Sequence, residues 1–179
     1  MAQPSLKDQK WEFKITMPTP TLSTEDKTDK QIKAMKRALT RGIQKGGARI
    51  ETSLKQALDN AMRSTNWNWP RTTLRKNGST AGRSRDIIDT GKLQKSGKVV
   101  AKYLVTKTTM EVRYTAPYAR LVHEGGYITP YGKEGRTAVY VPGRPWIRSV
   151  MVGENGYEKF EVDSVMNAAI SEAWKEQFG

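Results

Sequence analysis

The chain predicts an α+β fold: a small, mainly antiparallel sheet packed by a long N-terminal helix and a C-terminal helix, with an extended N-terminal arm. Three observations carry that prediction. Apolar residues recur at steps of three and four from Ile32 to Ala61 and again from Val162 to Trp174, as on one face of a helix. Between them, residues 99–105 and 110–114 alternate apolar with polar or smaller side chains, the period of half-buried strands. The resulting order is helix, loop, strands, short helix, strand, helix, which places helices on one side of an antiparallel sheet. The expected organisation is an arm over residues 1–23 and one domain over 24–179, with a long basic loop at 64–88.

Residues 1–22 contain Pro4, Pro18 and Pro20 and show no helical period. Trp11, Phe13 and Ile15 alternate with polar residues, so a short strand is expected there, suited to joining the sheet edge of a neighbouring molecule. A helix is expected over 24–62, with Thr24 as its cap and Glu25 and Asp26 in an acidic first turn. Gly46 and Gly47 interrupt its apolar stripe. Each glycine costs roughly 1 kcal/mol relative to alanine, so a kink or break is expected, with close packing of another backbone as the alternative.

Residues 64–88 read as a structureless loop in which Trp67, Trp69 and Pro70 form an aromatic patch. Arg71, Arg75, Lys76, Arg83 and Arg85 follow, as contacts for DNA or for a neighbouring subunit. Residues 89–96, DTGKLQKS, suit a short helical turn capped by Asp89. The two alternating segments form a hairpin turning at Lys107-Thr108. YARLVHEGG (118–126) is a short helix stopped by Gly125-Gly126, residues 127–135 are a loop, and 138–141 are a strand ending at Pro142. PGRPWIRSVM turns sharply into a helical turn, and the last helix covers roughly 158–177.

Hydrophobic residues make up only 36% of the chain, so part of the core is expected to come from neighbouring subunits or to be replaced by extended structure. There is no cysteine, which excludes disulfides and thiolate metal sites. The N-terminal residues lack the apolar stretch of a signal peptide, and no apolar run approaches the ~18 residues of a membrane span. The net charge of +13 favours an anionic partner. It is unevenly spread: residues 27–49 hold eight bases and one acid, whereas 153–179 hold six acids and two bases. A basic body and an acidic tail can pair head to tail between copies.

His123, the single histidine, stands beside Glu124, the beginning of many active sites. The surroundings do not complete one. Position 127 is tyrosine, so H-E-x-x-H is absent, and neither a phosphate-binding loop nor a nucleophile elbow is present. No enzyme activity, catalytic residue, metal or cofactor is therefore expected. Two other readings stay open: a non-specific nucleic-acid-binding module acting in the host cytoplasm, and a magnesium nuclease using Asp86, Asp89 and Glu124.

Three segments are more specific together than apart: R-D-I-I-D-T-G-K-L-Q-K-S (85–96), Y-T-A-P-Y-A-R-L-V-H-E-G (114–125) and G-R-P-W-I (143–147). In this order and spacing they resemble the tail-completion, or head–tail joining, neck proteins of tailed bacteriophages. Those proteins carry D-T-G-x-L-x-x-S before a hairpin, then Y-A-x-x-V-H-E-G, then R-P-[FW]-[IL] before a C-terminal helix. The resemblance implies a structural virion protein at the head–tail interface. It implies a closed ring of roughly six or twelve copies. Its partners would be a portal-side adaptor and tail-terminator or tail-tube proteins, with non-specific contact to packaged DNA and no membrane.

The residues themselves suggest a structural corner. Asp89 would cap a turn, Gly91 keep it slim and Leu93 anchor it. Tyr118 and Val122, one turn apart, would share a buried face. His123 and Glu124 would lie at a helix end, where protonated histidine or a backbone hydrogen bond is favourable. After them, Arg144 would pair with Glu124 or Asp89, while Pro145 and Trp146 would cover the corner.

Overall fold

The computed structural model describes residues 11–18, 28–64, 67–69, 73–74, 78–103, 107–129 and 137–179. The fold is α+β, as expected, with a long N-terminal helix against a C-terminal helix. Among the described residues the strands form three small sheets rather than one. The chain packs as two compact units: one centres on residues 56–98 and 113–160, the other on 13–55, 99–112 and 161–179.

In the second unit, helix α1 (Asp29–Arg63) supplies its first seven turns. Thr28 starts it: Gln31 N–H donates to the Thr28 hydroxyl, and the Gln31 side-chain oxygen accepts from Thr28 N–H at 3.0 Å. This reciprocal pair satisfies two donors that a helix start leaves over. The expected cap Thr24 lies outside the described residues.

Helix α1 does not break at Gly46-Gly47; it runs through both, and both are buried. The reason is its partner, helix α5 (Val162–Phe178). A methyl group at Gly42 would stand 2.6 Å from Ile170 Cα, and one at Gly46 would stand 2.5 Å from Met166 Sδ. The glycines form a trough in which α5 lies, and that packing offsets their poor helix propensity. On the rim, Lys45 and Arg49 pair with Glu176 and Glu172, each at 2.6 Å. The basic helix and acidic tail, expected to pair between copies, pair here within one chain. Strand β5 (Lys107–Tyr114) lies between β1 (Trp11–Pro18) and β4 (Gly97–Tyr103). The arm strand thus completes a sheet of its own chain rather than waiting for a neighbour. The side chains of Trp11, Phe13 and Ile15 lie outside the described residues. Lys107 and Thr108, expected as the turn of the hairpin, belong to β5; residues 104–106 lie outside the described residues. The Glu51 carboxylate accepts from Ala101 N–H and ties α1 to β4.

In the first unit, the end of α1 buries Leu58, Ala61 and Met62 with Trp67, Ile87, Tyr114, Trp146 and Ile147. The region 64–88 is not structureless. Trp69 N–H donates to Arg83 O at 2.7 Å and Arg85 N–H to Trp67 O at 3.1 Å, and beyond them β2 (Thr73–Leu74) pairs antiparallel with β3 (Thr80–Ala81). It is a β-arm closed on itself. Its base is fastened where Trp67 Nε1–H donates to Ala61 O and the Trp67 ring stacks on Tyr157. Likewise 127–128 is not loop: β6 (Gly125–Ile128) pairs antiparallel with β7 (Val139–Pro142).

Candidate functional site

All three motif segments fall in the first unit. The DTG segment leads into α2 (Lys92–Ser96), whose cap is Gly91 in the left-handed region (φ 72°), with no side-chain cap hydrogen bond. Asp89 is exposed, two positions too early to cap. The carboxylate used locally is that of Asp86, which accepts from Ile88 N–H at 3.1 Å. Leu93 points into the core.

Helix α3 (Ala119–Glu124) carries the second segment and stops at Gly125 (φ 81°), whose N–H donates to Leu121 O. Tyr118 and Val122 do not share a buried face. Tyr118 is exposed, Val122 half-buried, and both line a cleft of about 210 Å³ with Ile87, Asp89, Gly91 and Leu93. The side chain that goes inside is His123. Its ring meets Trp146 edge-on at 4.8 Å, and burial lowers its pKa to about 4 despite the neighbouring Glu124. It is therefore neutral at pH 7, so of the two helix-end roles expected, a protonated histidine or a backbone hydrogen bond, the protonated one does not hold. Glu124 faces outward, paired with Arg120 at 2.8 Å, and cannot act on the His123 ring as an orienting carboxylate.

The third segment locks onto the second. Arg144 N–H donates to Val122 O at 2.9 Å. Gly143 packs so closely on the end of α3 that a methyl group would stand 2.5 Å from the Glu124 carbonyl carbon and 2.8 Å from His123 O. Pro145 precedes a helical turn, α4 (Trp146–Arg148), and a wide π-type turn over Ser149–Gly153. Trp146 is fully buried and also meets Tyr114 edge-on at 5.3 Å. Burial holds the Tyr114 phenol protonated well above its ordinary range.

Arg144 pairs with neither Glu124 nor Asp89. Its guanidinium lies 3.4 Å over the Trp69 ring and donates to Pro142 O at 2.8 Å, while that of Arg85 lies 4.0 Å from the same ring. One indole thus serves two arginines, each drawn to the negative face of the π-system. Burial, with Arg85 nearby, lowers the Arg144 pKa to about 10, and it stays charged at neutral pH. Arg85, expected as a surface contact, is 7% exposed and belongs to this stack; Arg83 is exposed. Arg71, Arg75 and Lys76 lie outside the described residues. Sequence reading marked Trp69 only as part of an aromatic patch. Its role depends on two arginines 16 and 75 positions away, which no local pattern connects.

Among the described residues, no three of His, Asp and Glu come together as a metal site would require, and Asp86, Asp89 and Glu124 are not grouped. No described helix is long and apolar enough to cross a membrane. What the arrangement offers is a rigid corner with an aromatic ribbon leading out of it. Half of the exposed large hydrophobics among the described residues, Tyr127, Ile128, Val139 and Tyr140, lie on β6 and β7. The rings of Tyr127 and Tyr140 stand 5.2 Å apart, and Tyr127 is 71% exposed. No protein-family model, curated protein or solved structure matches the chain.

Proposed function

We propose that this protein is a structural subunit of a tailed-phage neck, forming a ring between the portal-side adaptor and the tail and acting in the virion rather than as an enzyme. The observation that carries the proposal is the meeting of its three motif segments. The first and second line one cleft, with Ile87 and Leu93 facing Tyr118 and Val122, and the second and third pack through His123 on Trp146 and Gly143 on the end of α3. The residues of the motif segments serve structure: the histidine is buried and neutral, and the arginine is stacked on tryptophan. The exposed β6–β7 ribbon supports the same reading. Two neighbouring tyrosines on a projecting ribbon are good anchors for a neighbouring subunit, because a large rigid ring buries much area at little entropic cost. Head-to-tail contacts give a ring when the rotation from one subunit to the next closes.

The test is the mass of the purified protein by light scattering, alone and after mixing with tails that lack it. A ring, or a monomer that becomes one on tails and restores their joining to heads, is expected. Tyr127→Ser with Tyr140→Ser should leave the melting temperature within a few degrees and abolish assembly. A chain that stays monomeric with tails and restores no joining overturns the proposal.

A further inference from the structure

We infer that the N-terminal half of α1 is a surface for the phosphate backbone of duplex DNA. The inference deepens the neck reading, whose resemblance implies non-specific contact with DNA, by assigning that contact to named residues, and it is tested apart from ring formation.

The charge excess of residues 27–49 divides in the structure. Lys45 and Arg49 are occupied by the C-terminal helix of the same chain. Lys30, Lys33, Arg37 and Arg41 are exposed, and among the described residues none of them makes an ion pair; Arg41 merely adds to the field that lowers the Glu176 pKa. At 3.6 residues per turn, these four fall within an arc of about 80° along a rise of about 17 Å. Lys36 lies on another flank, and the one acid of this stretch, Asp29, falls off the stripe. The result is a straight row of cations held on a rigid rod.

A straight row of fixed cations fits a linear polyanion. Duplex DNA carries a negative charge about every 1.7 Å of axis, so the row spans roughly ten phosphates over both strands. Lysine and arginine on one helix face contact phosphates without reading bases, so no sequence preference is expected. An acidic surface on a second copy fits less well, because Glu172 and Glu176 are already engaged by Arg49 and Lys45. Of the two described arginines of the β-arm, Arg85 is buried and Arg83 is exposed, so these two form no comparable row.

The test is fluorescence anisotropy with a random-sequence duplex and the full-length protein between 50 and 200 mM salt. Four phosphate contacts contribute about −3.6 to the log–log salt slope, so over that range their share of the affinity falls roughly 150-fold. The variant Lys30→Gln/Lys33→Gln/Arg37→Gln/Arg41→Gln, checked for helicity, should lower the slope by three to four. Exchanging each Lys for Arg and each Arg for Lys should preserve it. Removing three exposed lysines elsewhere, Lys92→Gln/Lys95→Gln/Lys98→Gln, should change it by less than one. The inference is overturned if the wild-type protein fails to bind at 50 mM salt, or if the four-residue and control variants lose the same amount. Ring formation is read separately by light scattering, so failure of one proposal is not failure of the other.

Discussion

Replacing Gly42 with alanine tests how α1 and α5 are held together. Alanine improves helix propensity by about 1 kcal/mol, so on an isolated helix the change stabilises. In the folded chain the new methyl would stand 2.6 Å from Ile170 Cα, with Ile170 Cβ at 3.2 Å. Carbon atoms in good contact are about 3.5–4.0 Å apart, so the helices must separate by close to 1 Å. Such overpacking typically costs about 1–3 kcal/mol, and here it cannot be relieved by a rotamer change because the obstacle is backbone. The net expectation is a loss of up to about 2 kcal/mol, or up to roughly 8 °C in melting temperature for a chain of this size. Gly46→Ala is the internal comparison. Its closest obstacle is Met166 Sδ, in a flexible side chain that can swing aside. That variant should melt within about 2 °C of wild type. Thermal unfolding followed by circular dichroism at 222 nm measures both. A Gly42→Ala protein that melts higher than wild type would refute the reasoning, since propensity would then outweigh the close approach.

Two further predictions concern the corner. His123 has a pKa lowered to about 4 by burial, below its ordinary 6.5. A depressed folded-state value means the unfolded chain binds the extra proton first, so stability from this group is complete above pH 6.5 and is lost as pH falls through 4. The loss is at most about 3 kcal/mol. His123→Phe should flatten that part of the profile, measured as urea midpoints from pH 7 to 4; parallel profiles would show that the ring is not desolvated. Gly143→Ala drives a methyl into the Glu124 carbonyl, and should lower stability by about 1–3 kcal/mol or more. Unfolding midpoints equal to wild type would mean that the third segment does not pack on the end of α3.

The long helices, the hairpin strands β4 and β5, strand β7 and the fold class were legible in the residue pattern alone, because each depends on local periodicity. The apolar stripe at Ile50, Leu54, Leu58 and Ala61 marks the buried face of α1, and Val162, Met166, Ala169 and Ala173 mark that of α5. The YARLVHEGG segment was legible as a helix with a glycine stop, since propensity and the left-handed turn at Gly125 agree. Tertiary structure decided what local rules price wrongly. Gly46-Gly47 looks like a break until α5 fills the trough left by Gly42 and Gly46. Residues 64–88 look like loop because their pairing is made by few residues without strand alternation, and the Trp69 stack that anchors them draws on Arg144. Lys45 and Arg49 look free for another molecule until Glu176 and Glu172 arrive from 131 and 123 positions away. His123 looks like chemistry beside Glu124, and becomes a neutral core ring only when Trp146 covers it. In each case the deciding energy is a contact between distant segments, and neither segment carries it alone.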